Sequence, residues 1–202
     1  VAQALELDNL RRAVQSMIDD HGLEALAICF LNSPTNPAHE EAALKLVTNE
    51  FPELYVSTST DIFPFLREYE RWTTTVMNAF TGPMFDTYLN RLESGLADMG
   101  FDASFYIMSS SGGTVTLDTA RKYPVRMLES GPAAGVLQSA MLGRQLNRLD
   151  LLSYDMGGTT AKGALVRGGE PLKRYELEVA RVHEFKMGSG LPAKIPVIDL
   201  IE

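Results

Sequence analysis

Leu7, Leu10, Val14, Met17 and Ile18 recur at helical spacing and the pattern stops at Gly22, which predicts an amphipathic helix closed by a glycine cap. Residues 25–31 that follow are short and continuously apolar, as expected of a buried strand. Residues 39–50 read as a second helix and Leu54-Tyr55-Val56-Ser57 as a second short strand, and helices alternating with strands predict parallel pairing in an α/β sheet. From Phe65 a helical pattern runs to Phe80. Gly82-Pro83 is expected to interrupt it, with Pro83 in the first turn of a further helix that carries Phe85, Tyr88, Leu89, Leu92, Leu96 and Met99 on one face. A strand over residues 104–108 ends in the polar turn Ser109-Ser110-Ser111-Gly112-Gly113-Thr114. Ser130-Gly131-Pro132-Ala133-Ala134-Gly135 opens a helix reaching to about Leu146, with Ser130 or Gly131 as its N-cap. The polar stretch 57–61 marks a boundary, dividing the chain into residues 1–62 and residues 63–202.

The last third alternates with a strand period. Leu151-Leu152-Ser153-Tyr154-Asp155-Met156 runs straight into Gly157-Gly158-Thr159-Thr160, residues 161–167 alternate again, and Gly168-Gly169 precedes a strand-like stretch over 170–178. A Gly-Gly link between alternating runs signals a hairpin, so the glycine-threonine turn sits at the tip of one hairpin and a second returns the chain. A P-loop or a dinucleotide fingerprint runs strand, glycines, helix instead. Bare N–H groups at Gly157 and Gly158 form a concave nest of positive potential, and Thr159 and Thr160 add hydroxyl donors. Asp155 suits the carboxylate that holds Mg2+, or orients a water, beside a phosphate. The competing reading is a purely structural turn, because Asp, Gly and Thr are ordinary turn residues. The helix start at Ser130 and Gly131 offers unpaired N–H groups to an anion, or else packs closely on a sheet.

Composition narrows the partners. With 202 residues and 45% hydrophobic content the chain can form one or two compact domains, and its net charge of -8 argues against a nucleic-acid partner. No apolar run is long enough to span a bilayer, so no membrane partner is expected. The single cysteine, Cys29, excludes an internal disulfide framework and points to a reducing cytoplasm; it reads as a small buried residue of a strand rather than a nucleophile. His21, His39 and His183 lack metal-ligand spacing, and no Gly-x-Ser-x-Gly elbow exists. Ser109, Ser110 and Ser111 read as turn hydroxyls. Glu68, Glu70 and Arg71 read as a solvated helix face, with an ion pair bridging two units as the other reading. The chain starts at Val1 and stops just after a strand-like run, and so reads as a fragment.

The Asp-x-Gly-Gly-Thr turn between antiparallel strands resembles the phosphate loop of the actin, Hsp70 and sugar-kinase superfamily. More specifically, Leu31-Asn32-Ser33, Asn36-Pro37-Ala38-His39-Glu40, Glu68-Tyr69-Glu70-Arg71 with Thr73-Thr74-Thr75-Val76-Met77-Asn78-Ala79, Met108-Ser109-Ser110-Ser111-Gly112-Gly113, Ser130-Gly131-Pro132-Ala133-Ala134-Gly135-Val136, Tyr154-Asp155-Met156-Gly157-Gly158-Thr159 and Gly188-Ser189-Gly190-Leu191-Pro192 follow in the order seen in the hydantoinase A/oxoprolinase family, and the resemblance covers nearly the whole chain. It implies an α/β, ribonuclease-H-like fold with a mixed sheet and flanking helices, residues 1–62 ending one such domain and 63–202 starting another. It also implies an ATP-dependent enzyme subunit that opens a cyclic amide, a hydantoin or 5-oxoproline, with a hydantoinase B-type subunit or domain as partner. Related members serve ATP-dependent ketone carboxylases, and a non-catalytic assembly subunit would keep the same fold. By the resemblance, Asp155 holds Mg2+ or its water as metal and catalytic residue, Gly157, Gly158, Thr159 and Thr160 contact the phosphates of ATP, and Ser130 and Gly131 line the cleft. The family's turn commonly continues Ser/Thr-x-Asp, whereas Lys162 stands here, and a lysine can neutralise phosphate without replacing a carboxylate ligand.

Overall fold

The computed structural model describes residues 4–158, 160–183, 186 and 188–201. Gly22 adopts the left-handed conformation at φ 62° and its N–H closes on the Ile18 carbonyl, so the first helix, α1 (Leu7–His21), ends at the predicted glycine. There follow β1 (Ala25–Ile28), α2 (Ala38–Glu50) and β2 (Tyr55–Thr58), and the two strands pair in parallel with Ala25 opposite Tyr55 and Ile28 opposite Thr58. Val14 of α1, Ile28 of β1 and Ala43, Leu46 and Val47 of α2 form the buried centre of this part.

A single turn, α3 (Ser59–Ile62), leads into α4 (Glu68–Asp98), a 31-residue helix that passes through Pro83 unbroken. The interruption expected at Gly82-Pro83 does not occur. Pro83 forfeits one backbone hydrogen bond, but Met77, Asn78, Ala79 and Gly82 before it and Leu89 after it are all buried, and tertiary packing holds the helix across the defect. Gly82 serves close approach instead of a break: a Cβ there would lie 2.3 Å from Cε1 of Tyr55, so the helix rests on the ring of a β2 residue. The Tyr55 hydroxyl donates to the Arg121 carbonyl at 2.6 Å.

β3 (Ile107–Met108) and β4 (Thr114–Val115) form a hairpin around the serine-glycine turn, so the strand expected over 104–108 is reduced to its last two residues. α5 (Leu117–Lys122), whose first N–H groups include one capped by the Thr116 hydroxyl, and a 3-10 turn at Pro124–Met127 lead to α6 (Ser130–Gln145). The N-cap of α6 is Glu129, one residue earlier than expected. The chain enters from the 3-10 turn already coiled, and the Ala133 N–H bonds the Glu129 carbonyl at 3.2 Å, which makes Ser130 and Gly131 the first helical residues.

β5 (Leu151–Met156) and β6 (Ala161–Arg167) pair antiparallel from Leu151 opposite Val166 to Met156 opposite Ala161. Gly168 and Gly169, at φ 58° and 81°, make the predicted two-residue turn into β7 (Glu170–Pro171). The stretch expected to be one strand over 170–178 is divided among β7, β8 (Lys173–Arg174) and β9 (Leu177–Val179); β10 (Leu191–Ala193) pairs with β9, β11 (Val197–Ile198) with β8, and β12 (Leu200–Ile201) with β6. Ala133, Val136 and Ala140 of α6 pack on Ala164, Val166, Ile198 and Leu200. The sheet's other face leaves Leu152, Tyr154, Met156 and Ile201 exposed. The Thr73 hydroxyl donates to the Pro192 carbonyl at 2.7 Å, and the Lys194 N–H donates to the Thr74 hydroxyl at 2.9 Å, which stitches α4 to the β10 region. The architecture is mixed α/β, and among the described residues no helix is long and apolar enough to cross a membrane.

Candidate functional site

Side-chain alternation decides which way the polar residues of the β5–β6 hairpin face. Ala164 and Val166 are buried against α6, and the Ser153 and Ser139 hydroxyls share a hydrogen bond at 2.9 Å. Counting by twos toward the tip puts Lys162 and Asp155 on that same face, where they are direct cross-strand partners. The N-terminus of α6 lies beside them. Lys162 Nζ donates to Glu129 Oε2 at 2.7 Å, and the pair is largely sheltered, with the side chains 15% and 22% exposed.

The tip itself is open. The Gly157 N–H donates to the Thr160 carbonyl at 3.0 Å and closes the turn, while Asp155, Gly157, Gly158 and Thr160 are exposed. A Cβ on Gly158 would meet nothing within 4 Å, and one on Gly157 only the Thr160 carbonyl at 3.9 Å. The chain therefore leaves free the space that side chains would occupy, as a ligand pressed against backbone N–H groups requires. Thr159 lies outside the described residues.

Fully buried Ser110 anchors the start of α6. Its hydroxyl accepts from the Glu129 N–H at 2.9 Å, its own N–H donates to the Arg126 carbonyl at 2.8 Å, and its carbonyl accepts from the Ile198 N–H at 2.8 Å. One serine thus ties the β3–β4 turn, the 3-10 turn, the start of α6 and β11 together. Ser109 and Ser111 bond each other through their hydroxyls at 2.9 Å, in keeping with turn hydroxyls. Among the described residues no three His, Cys, Asp or Glu side chains gather to hold a metal ion. The donor set, one exposed carboxylate at Asp155, fits a Mg2+ ion whose remaining ligands are phosphate oxygens and water, which is how that ion is usually held.

A second polar cluster was invisible in the sequence. Glu40 and Arg71 are completely buried. One Glu40 oxygen accepts from the Phe30 N–H (2.9 Å) and the Ser59 hydroxyl (2.6 Å), the other from the N–H and hydroxyl of Thr60 (both 2.9 Å). Arg71 donates to the same Ser59 hydroxyl at 3.0 Å and to the carbonyls of Phe65 at 2.6 Å and Phe30 at 2.8 Å. Arg71 is therefore no part of a solvated face. It links α4 to the end of β1 and to α3, in hydrogen-bonded form rather than as a direct ion pair. Burial is the largest influence on the Glu40 carboxyl and would raise its pKa, but the hydrogen bonds from Ser59, Phe30, Thr60 and Ser33 outweigh it and hold the group below the usual glutamate range.

The model of the hydantoinase/oxoprolinase family matches residues 71–202, more than half of the chain. The chain belongs to the hydantoinase/oxoprolinase family. It is 39% identical over 192 residues to the uncharacterized protein MJ0964 of Methanocaldococcus jannaschii, covering 94% of this chain and 28% of that one. It is 28% identical over 188 residues to the caprolactamase subunit alpha of Pseudomonas jessenii, covering 88% of this chain and 27% of the relative, and the crystal structure of the ATP-dependent caprolactamase from that organism matches with a TM-score of 0.79 at 26% identity over 98% of this chain and 27% of that one. The nucleotide-free structure of acetone carboxylase shares the fold with a TM-score of 0.80 at 24% identity, over 98% of this chain and 27% of the other. The chain thus spans little more than a quarter of the length of these relatives. The contact of Lys162 with Glu129 brings the residue just before Ser130 and Gly131 against β6, and Asp155 lies across from Lys162 on β5, one residue ahead of Met156 and the Gly157-Gly158 turn. Glu129 was missed in the sequence, where nothing marks it apart from its place just before a helix.

Proposed function

We propose that this chain is the phosphate-contacting part of an ATP-dependent enzyme that hydrolyses a cyclic amide, built on a ribonuclease-H-like fold of the actin and Hsp70 type. The observation that carries the reading is the exposed Asp155 next to an open glycine turn at a hairpin tip, across the strands from Lys162, which reaches Glu129 at the start of α6. Residues 1–62 close one ribonuclease-H-like unit and residues 63–202 open the next. The Gly158 N–H and the N–H and hydroxyl groups of Thr159 and Thr160 hold phosphate oxygens, while Gly157, whose N–H is committed to the Thr160 carbonyl instead of standing bare, shapes the turn they approach; Ser130 and Gly131 form the opposite wall, and Asp155 holds Mg2+ or a water bound to it. An amide is a poor electrophile; phosphorylation of its oxygen by ATP would make the carbon susceptible to water, the ring nitrogen would leave as the amine, and loss of phosphate to a second water would give the carboxylate. The chain's own residues position the reactants and balance charge. Family membership and the likeness to an ATP-dependent caprolactamase favour a lactam, hydantoin or 5-oxoproline as substrate. That relative is a subunit alpha, which favours a second, hydantoinase B-type subunit or domain as partner; a single cysteine fits a reducing cytoplasm.

The test is ADP release by the full-length protein with its partner, in the presence of caprolactam, a hydantoin or 5-oxoproline. Stimulation by one of these, independent of bicarbonate, is expected. Bicarbonate-dependent release with a ketone would replace the reading with a ketone carboxylase, and no release with any of them would leave a non-catalytic assembly subunit.

A further inference from the structure

Two carboxylates, Asp155 and Glu129, flank the place where a polyphosphate would enter, and Lys162 stands between them: it is the cross-strand neighbour of Asp155, and its ammonium is 2.7 Å from Glu129. Without Mg2+, the phosphate would need this lysine to balance the charge. A di- or triphosphate carries three to four negative charges, and two carboxylates at close range would repel it by several kcal/mol at the intermediate dielectric of a partly buried site. Lys162 is also poorly placed as a mere surface ion pair, because a sheltered pair of this kind gains about as much from its attraction as it loses in hydration. The backbone at Glu129 is anchored, since its N–H donates to the buried Ser110 hydroxyl.

Resting on the nucleotide reading above, we propose that Lys162 is a phosphate-binding residue which Glu129 holds at the edge of the turn, and which moves its ammonium from that carboxylate to a phosphate oxygen when a nucleotide binds. Lys162 supplies charge neutralisation from the protein where a second carboxylate would have demanded a metal ion. Nucleotide binding therefore depends less on Mg2+ than a site built from carboxylates alone would.

The sign of two substitutions separates a phosphate contact from a structural clamp. Both Lys162→Met and Glu129→Gln break the ion pair, so a clamp would lose affinity either way. A phosphate contact gives opposite signs: the loss of Lys162 weakens binding, whereas the loss of Glu129 removes a competitor and tightens it. Equilibrium binding of ADP to the full-length protein, measured with Mg2+ and again with EDTA, reads this directly. Wild type is expected to bind in both conditions within about threefold, Lys162→Met to lose about tenfold or more in both, Lys162→Arg to stay within about threefold of wild type, and Glu129→Gln to bind at least as tightly as wild type, each charge-assisted contact being worth about a tenfold change or more. Thermal unfolding of each variant checks that the fold survives. Wild-type affinity in Lys162→Met, or parallel losses in Lys162→Met and Glu129→Gln, overturns the lysine assignment alone. Absence of ADP binding by wild type overturns the nucleotide reading and this inference with it.

Discussion

The cluster around Glu40 and Arg71 and the one around Asp155 and Lys162 differ in one physical respect, access to water. Around Glu40 and Arg71 every partner is supplied from within the chain: four donors for the carboxylate, three acceptors for the guanidinium, and Ser59 serving both. Around Asp155 the carboxylate is exposed and the glycine turn beside it is open. A satisfied buried network specifies a structure, because removing any member strands the others in low dielectric. An exposed one is available for a ligand. The same residue types thus serve architecture at one end of α4 and, on the proposed reading, ligand binding at the hairpin tip.

The largest effect that can break the comparison is on the closed side. Arg71→Met removes three donated hydrogen bonds from a fully buried site and should destabilise the fold by about 3–5 kcal/mol, the usual cost of removing one partner from a buried charged network. Urea unfolding measures it. A loss below about 1 kcal/mol would mean that the network is dispensable. Its counterpart is Asp155→Asn, which should leave stability within about 0.5 kcal/mol of wild type, as exposed substitutions do. Substrate-stimulated ADP release should fall by about a hundredfold or more, equivalent to about 2.7 kcal/mol of transition-state stabilisation. Unchanged turnover would remove Asp155 from the mechanism.

How legible each cluster was follows from the same difference. The hairpin was readable because local rules determine it: alternation sets the strands, and Gly168 and Gly169 set the return turn. So were α1 with its Gly22 cap and the parallel β1–β2 pair. Arg71 was misjudged because its sequence neighbours, Glu68 and Glu70, are those of a wet helix face, and its burial depends on Phe30 and Ser59, far away in sequence. Gly82-Pro83 misled for a related reason. Both residues are local helix breakers, but the ring of Tyr55 against Gly82 and the burial of α4 on either side outweigh one missing hydrogen bond. The N-cap of α6 moved to Glu129 because of the preceding 3-10 turn, again a matter of what the chain does before it arrives.

Acid sharpens the comparison with a smaller effect. Because Glu40 is held below the usual glutamate range, the unfolded chain takes up its proton at a higher pH than the folded one. The stability it contributes is present in full above the unfolded value, about 4.3, and is lost as pH falls through the lower folded value. Wild-type urea midpoints should therefore drop across that window. Glu40→Gln, already weaker because its amide N–H groups face donors, should show a shallower drop, whereas Asp155→Asn should follow the wild-type slope. Equal slopes in wild type and Glu40→Gln would show that other carboxylates govern acid unfolding.

The mildest probe leaves stability untouched and asks whether the closed cluster is closed in solution. Cys29 adjoins it: burial first, and then the Glu40 charge, push the thiol up to about 11, against the opposing influence of Thr75 and Arg71. At pH 8 a free thiol with a pKa of about 8.5 is roughly one quarter thiolate, whereas one near 11 is about one part in a thousand. A disulfide reagent should therefore label native Cys29 about two hundredfold more slowly than the unfolded chain, before any steric protection is counted. In Arg71→Met the network loses the group that joins α4 to β1, so local opening becomes more frequent and the labelling rate should rise towards the unfolded value, while Asp155→Asn should label like wild type. Fast labelling of the wild-type protein would mean that the region around Glu40 and Arg71 opens readily, and the contrast between a sealed cluster and an open one would be a property of the average structure alone.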